Sequence, residues 1–194
     1  MNPILPRTLL VACAALALAA PSARALTLDS VVAGAHTVDL AFSTPERIGA
    51  DIGFATAGSV TLSYVIDADD VARGSAMFDS IVDNFSATPF GILGVTVDAG
   101  ALALGSFESN DGAMTVTTQD PRSVTFGFAP AFSTQAYLGN PFAAASASDW
   151  TISLAGLSDG DRLSLTVTAA VPEPGTWALL AGGLGLMGLL RRRS

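Results

Sequence analysis

Val60-Thr61-Leu62-Ser63-Tyr64-Val65-Ile66 decides the fold class. Val60, Leu62, Tyr64 and Ile66 take every second position. Successive side chains of a strand point to opposite faces, so these four share one apolar face. The same period recurs on both sides of this stretch. His36 to Phe42 places Val38, Leu40 and Phe42 together. Ile92 to Asp98 and Ala101 to Phe107 read as two strands joined by a turn at Asp98-Ala99-Gly100. Met114 to Thr118, Val124 to Phe128, Trp150 to Leu154 and Leu163 to Thr168 complete the set, with Asp159-Gly160 as the turn between the last two. Alternation broken by Gly, Asp, Asn and Pro marks antiparallel strands with one buried face. Residues 26–171 are therefore expected to form an all-β domain, an antiparallel β-sandwich of jelly-roll-like layout.

Two segments resist the pattern. In Asp69 to Pro89, the spacing of Phe78, Ile81, Val82 and Phe85 suits a helical face, while Gly74 and Ser-rich flanks favour strands with a bend. Both readings stay open. Residues 129–149 carry Pro130, Gly139, Pro141 and an Ala/Ser run from Ala143 to Ser148, and read as a long surface loop.

Charge and cysteine usage narrow the function. All nine basic residues are arginine, and five of them lie near the two ends. Residues 26–171 hold sixteen acids against Arg47, Arg73, Arg122 and Arg162, a net charge of about −12. Such a surface repels phosphate backbones, which argues against nucleic acid as a partner. The one thiol, Cys13, lies outside this region, so no disulfide staples the domain and no thiolate serves it.

The two ends read as targeting segments. Arg7 precedes an apolar run, Thr8 to Ala20, and Ala23-Arg24-Ala25 offers the small residues of a signal peptidase site at Ala23 and Ala25. Residues 1–25 are thus a signal peptide. Leu10-Val11-Ala12-Cys13 resembles a lipoprotein box, but the apolar run continues past Cys13, and cleavage after Ala25 is preferred. At the other end, Pro172-Glu173-Pro174 leads into an apolar stretch closing on Arg191, Arg192 and Arg193. The 17 residues from Pro174 to Leu190 make a single transmembrane helix of about 25 Å at ~1.5 Å per residue. That is short against a hydrocarbon core of ~30 Å, and snorkelling arginines cover the deficit. The arginines fix the tail on the cytoplasmic side and leave the domain outside. Gly183-x-Gly185-x-x-Gly188 matches a dinucleotide fingerprint by letter only, since it follows no strand.

Residues 172–194 resemble the PEP-CTERM sorting signal of exported proteins from biofilm-forming Gram-negative bacteria. The same segment is also known as an ice-binding protein C-terminal domain, a name that describes a domain neighbour rather than an activity. The resemblance implies an exosortase, a transpeptidase-like membrane protease, as a processing partner beside signal peptidase. Pro172, Glu173 and Pro174 would be its recognition elements. It implies transient anchoring by the C-terminal helix, then release to the cell surface or outside it, with exopolysaccharide of a biofilm matrix as a partner.

Catalytic signals are poor. His36 is the single histidine and sits in strand alternation; no Gly-x-Ser-x-Gly elbow supports a triad built on it. The expectation is a non-enzymatic surface or extracellular-matrix protein with no catalytic residues. The alternatives are a small secreted glycoside hydrolase using two carboxylates and a purely structural matrix subunit. Most central acids read as solvated turn aspartates. No cofactor is required; calcium is the one candidate, with Asp67, Asp69, Asp70, Asp159 and Asp161 offering hard oxygens in loops. The first cluster departs from the EF-hand pattern, because Val71 stands where a ligand belongs. Thr115-Val116-Thr117 and Thr166-Val167-Thr168 form no ladder of fixed period and read as ordinary strand threonines rather than an ice-binding face. The signal peptide reading predicts Leu26 as the first residue of the secreted form. N-terminal sequencing checks this, and a start far from Leu26 would sink it.

Overall fold

In the computed structural model, which describes residues 26–143 and 148–171, the alternating stretch at 60–66 falls in and just beyond β4 (Gly58–Val65). Val60, Leu62, Tyr64 and Ile66 are all buried. β4 belongs to a six-stranded sheet, sheet 1. Its order is β1 (Thr27–Val32), β4, β13 (Arg162–Ala170), β6 (Phe90–Val97), β10 (Ser123–Phe132) and β9 (Ala113–Asp120). Every neighbouring pair in it is antiparallel.

Sheet 2 runs β2 (Thr37–Asp39), β3 (Arg47–Phe54), β5 (Ser75–Asn84), β11 (Gln135–Leu138) and β8 (Phe107–Ser109). The long strand β5 is shared on one side: β11 pairs with Ser80–Asp83, and β12 (Trp150–Ser153) pairs with Ser75–Phe78. β7 (Ala101–Ala103) then pairs with β12. The antiparallel expectation holds for every strand pair except β3 and β5, which are parallel, in register from Arg47↔Met77 to Phe54↔Asn84. Parallel neighbours need a crossover. Here it passes through β4 in sheet 1 and a short helix, α1 (Ala68–Arg73).

The inner faces of both sheets meet in one hydrophobic core. Phe126 of sheet 1 lies 5.7 Å from Trp150 of sheet 2, and Phe90 meets Phe54 edge-on at 6.1 Å between ring centroids. Burying each such side chain is worth ~1.5–3 kcal/mol. With no cysteine in residues 26–171, that burial holds the layers together. On the outer face of sheet 1, Ser59, Thr61 and Ser63 bond across to Thr168, Thr166 and Ser164.

The structure revises several local expectations. The segment 69–89 is neither one helix nor one bent strand. Gly74 at φ 74° caps α1, and β5 follows at once. Phe78 and Val82 point into the core, whereas Phe85 is exposed, so the apparent helical face is a coincidence of spacing. The run His36 to Phe42 is a strand only over Thr37–Asp39, and Phe42 is 50% exposed. Ala101 to Phe107 divides into β7 and β8, which join different partners. The long loop expected at 129–149 is shorter, because β10 continues to Phe132 and β11 occupies Gln135–Leu138. β1 and β3 were not expected as strands. The signal peptide, the C-terminal helix and the sorting motif lie outside the described residues.

Trp150 is fully buried between the layers, and its Nε1 donates to Ser106 O at 2.8 Å. Trp150→Ala should cost about 3–5 kcal/mol in urea unfolding of the mature protein. A loss below about 1 kcal/mol would show that this contact does not join the sheets.

Candidate functional site

The outer face of sheet 2 is built by alternation in β3 and β5. β3 sends Ile48, Ala50, Ile52 and Phe54 into the core, which leaves Arg47, Gly49, Asp51 and Gly53 on the other face. β5 sends Ala76, Phe78 and Val82 inward and turns Met77, Asp79, Ile81 and Asp83 outward. The parallel register sets Gly49 beside Asp79 and Asp51 beside Ile81. Gly49 has a reason to be glycine: a Cβ there would stand 2.8 Å from Phe42 O, so the preceding loop lies directly on the sheet.

Arg47 organises this face. Its Nη1 lies 3.0 Å from Asp79 Oδ2, and both side chains are buried. Nη1 also donates to Ala143 O at 2.8 Å, and Nη2 donates to Phe42 O at 3.1 Å. One guanidinium therefore ties the loop before β3 and the loop after β11 to the sheet between them. The ion pair is close but off the N–H axis: Asp79 Oδ2 and Arg47 Nε have no aligned hydrogen bond. Burial raises the Asp79 carboxyl to about 6; Arg47 opposes the rise, and Asp149 and Asp51 add to it. Asp51 is also pushed up, by burial first, against a hydrogen bond from the Ile81 backbone, and then by Asp39 and Asp83.

Between these loops opens a cleft of about 410 Å³. Phe42 and Phe142 line it with Arg47, Asp51, Asp79 and Ile81. Phe142 is 73% exposed and meets Tyr137 edge-on at 5.3 Å. On its far side lies a smaller hollow of about 220 Å³, lined by Glu108, Tyr137 and Asn140 among others. A polar chain continues along the sheet: Asn110 Nδ2 donates to Tyr137 OH, Tyr137 OH to Gln135 Oε1, and Gln135 Nε2 to Asp83 Oδ1. Aromatic rings beside carboxylates and amides suit a ligand with apolar faces and polar edges.

The residues singled out for calcium are placed differently. The two acidic segments do come together: Ile66 N–H donates to Asp161 O, and Gly160 N–H to Ile66 O. Their side chains serve local structure. Asp67 caps α1, with Asp67 Oδ1 accepting from Asp70 N at 2.9 Å and Asp70 Oδ2 from Asp67 N at 3.0 Å. Asp70 is fully buried and paired with Arg73, and its carboxyl is raised chiefly by burial. Asp161 Oδ2 accepts from Ser158 N at 2.7 Å, while Asp69 and Asp159 are exposed. Among the described residues, no three acidic or histidine side chains converge on a metal position. Ala23, Ala25, Pro172, Glu173, Pro174, Arg191, Arg192 and Arg193 lie outside the described residues. His36 is half-buried against Phe54, 4.8 Å between ring centroids.

The acids of residues 26–171 are not all solvated. Asp70, Asp79 and Asp149 are buried. The Arg47–Asp79 cleft escaped the sequence reading because its carboxylates sit on strands, not in turns. Its one available signal was an arginine, among only four in the region, heading the alternation Ile48, Ala50, Ile52, Phe54.

Compared with known proteins, residues 170–194 match the PEP-CTERM protein-sorting motif, and the match is confined to that C-terminal segment. Such a motif marks a protein for export, sorting to the cell surface and processing by an exosortase. No curated protein and no solved structure matches the chain.

Asp79 gives the domain a pH signature. Its folded carboxyl titrates near 6 and its unfolded one near 3.8. Between these values the folded state holds a proton the unfolded state has released, so stability is greatest at the acid end and falls as pH rises through 6. The effect is on the order of 3 kcal/mol. Asp51 and Asp70 act with the same sign, and Asp111 and Asp120, held low by hydrogen bonds, act oppositely at lower pH. Thermal unfolding of the mature protein should show Tm decreasing from pH 5 to 7. Asp79→Asn should flatten that slope while lowering Tm overall; an unchanged slope would refute the assignment.

Proposed function

We propose that this chain is an exosortase-processed surface or extracellular-matrix protein whose β-sandwich domain associates, without catalysis, with exopolysaccharide of a biofilm matrix. The motif match over residues 170–194 carries the reading. In this reading, signal peptidase removes residues 1–25 and the segment at about 174–190 holds the chain in the membrane. An exosortase then acts near Pro172-Glu173-Pro174. β13 ends at Ala170, so cleavage in that motif would free the domain with its last strand intact.

Support for a glycan partner comes from the outer face of sheet 2. Phe42, Phe85 and Phe142 are each at least half exposed there, beside Asp51, Asp83 and Gln135. Phe85 lies flat on the strand: a Cβ at Gly53 would fall 2.2 Å from its ring. A pyranose ring offers an apolar face to such side chains and hydroxyls to the polar groups. The carboxylate hydrolase is a second reading, favoured by one observation: Asp79 and Asp51 line one cleft, where burial pushes the Asp79 carboxyl up to about 6. Against it stands the burial of Asp79, whose side chain is 1% exposed and paired with Arg47.

Replacing Pro172, Glu173 and Pro174 together with alanine should block processing yet leave membrane insertion intact. The mature mass, measured in cells with and without the exosortase, checks this, and a mature mass identical to the unmutated protein's would falsify the sorting reading. A glycan array with a hydrolysis assay on the mature protein should give binding without turnover. Turnover abolished by Asp51→Asn or Asp79→Asn would establish the hydrolase instead.

A further inference from the structure

We infer that the cleft between Phe42 and Phe142 binds a primary ammonium group carried on a hexosamine unit of a polysaccharide, with Asp51 as its ion-pair partner. The inference rests on the polysaccharide reading above and names which sugar chemistry the cleft selects.

Charge is the first argument. Asp51 and Asp79 line the cleft, Asp149 is near enough to act on Asp79, and Asp39 and Asp83 act on Asp51. Among the described residues, the cation that lines the cleft with them is Arg47. That guanidinium is buried, and its two terminal nitrogens are taken by Asp79, Ala143 O and Phe42 O. The cleft therefore has an excess of negative charge and no arginine to offer an acidic sugar. A uronate or sulfated glycan would meet like charge.

The floor of the cleft makes the second argument. Asp79 is 1% exposed, and its Oδ2 has no aligned hydrogen bond. It is held by Arg47 at 3.0 Å, so it adds acidic character to the floor without being the group a ligand meets. Asp51 is the half-buried member of the pair and so the one a ligand reaches. Its carboxyl is raised by burial and then by Asp39 and Asp83, the condition that an added cation relieves.

The walls make the third. Phe42 and Phe142, 50% and 73% exposed, present aromatic surface to the same space. An ammonium over a phenyl face gains ~0.5–1 kcal/mol at exposed sites, more where water is excluded. A hard metal ion needs several converging oxygen ligands, and no three acidic or histidine side chains converge on a metal position among the described residues. A cleft of about 410 Å³ admits a pyranose ring, and falls within the ~300–1,000 Å³ usual for small-ligand sites.

Calorimetry on the mature, processed protein tests the inference with a glucosamine oligomer, its fully N-acetylated counterpart, an uncharged glucan of equal length, a polyuronate and polylysine. The glucosamine oligomer should bind at least tenfold tighter than the N-acetylated one, and the polyuronate should not bind. Asp51→Asn should weaken binding at least tenfold, as should added salt to a lesser degree. Phe142→Ala, at an exposed position that cannot unfold the core, should also weaken it and guards against misfolding of the Asp51 variant. Equal binding of the free and N-acetylated oligomers, or indifference to both substitutions, would overturn the ammonium assignment and leave the polysaccharide reading standing. Binding of polylysine alone would overturn the sugar assignment. Binding of none of the five would overturn both.

Discussion

The ion pair between Arg47 and Asp79 sets the shape of the outer face of sheet 2. A charge pair taken out of water does not in general stabilise a fold, because desolvation offsets its attraction. Burial pushes the Asp79 carboxyl up even with Arg47 beside it, in keeping with that cost. What the pair supplies is position. Arg47 holds two loops distant in sequence, through Phe42 O and Ala143 O, against one point of the sheet. Without it, nothing in the hydrogen-bond pattern of the described residues joins Phe42 to Ala143. The cleft and its aromatic walls follow from that clamp.

The pair in turn depends on the parallel register of β3 and β5. A slip of one residue would turn Asp79 into the core and Phe78 out of it. Register is held from the inner side by Ile48, Ile52 and Phe54 packing with Phe78 and Val82 in one core. It is held from the outer side by Gly49 and Gly139, since a Cβ at Gly139 would stand 2.9 Å from Asp79 Cβ. The core therefore determines which residues meet at the surface, a short path from packing to function.

These same residues show why part of the structure was legible and part was not. β4, β6, β10 and β13 alternate apolar with Thr, Ser or Gly, and one face of each is open to water, so period two is plain. β3 alternates as strictly, yet three of its outward positions are Gly49, Asp51 and Gly53, residues that usually punctuate turns. They occur in a strand because loops cover that face and need close approach, a tertiary fact that local pattern does not carry. Asp79 is hidden for the same reason. The acids at 67–70 and 159–161 were visible as a cluster, but the roles of Asp67 and Asp161 as caps depend on α1 and the Ser158 turn. The sorting motif, by contrast, was readable, because its recognition lies in order along the chain and not in folding.

The placement of β13 joins the folded domain to that segment. β13 pairs with β4 along one edge and β6 along the other, from Arg162↔Val65 to Ala170↔Ile92. Remove it and sheet 1 divides into β1–β4 and β6–β10–β9, each with an open inner edge and an exposed half of the core. The last described strand is thus the central one, and the sorting match begins at its final residue, 170. The sandwich therefore closes only when the chain is in place up to the sorting segment. Tight pairing then runs to Ala170, and Val171 alone stands between the sheet and Pro172-Glu173-Pro174. β13 itself ends at Ala170, and proline brings no backbone N–H to a strand ladder. Every described strand of the domain therefore lies before the motif.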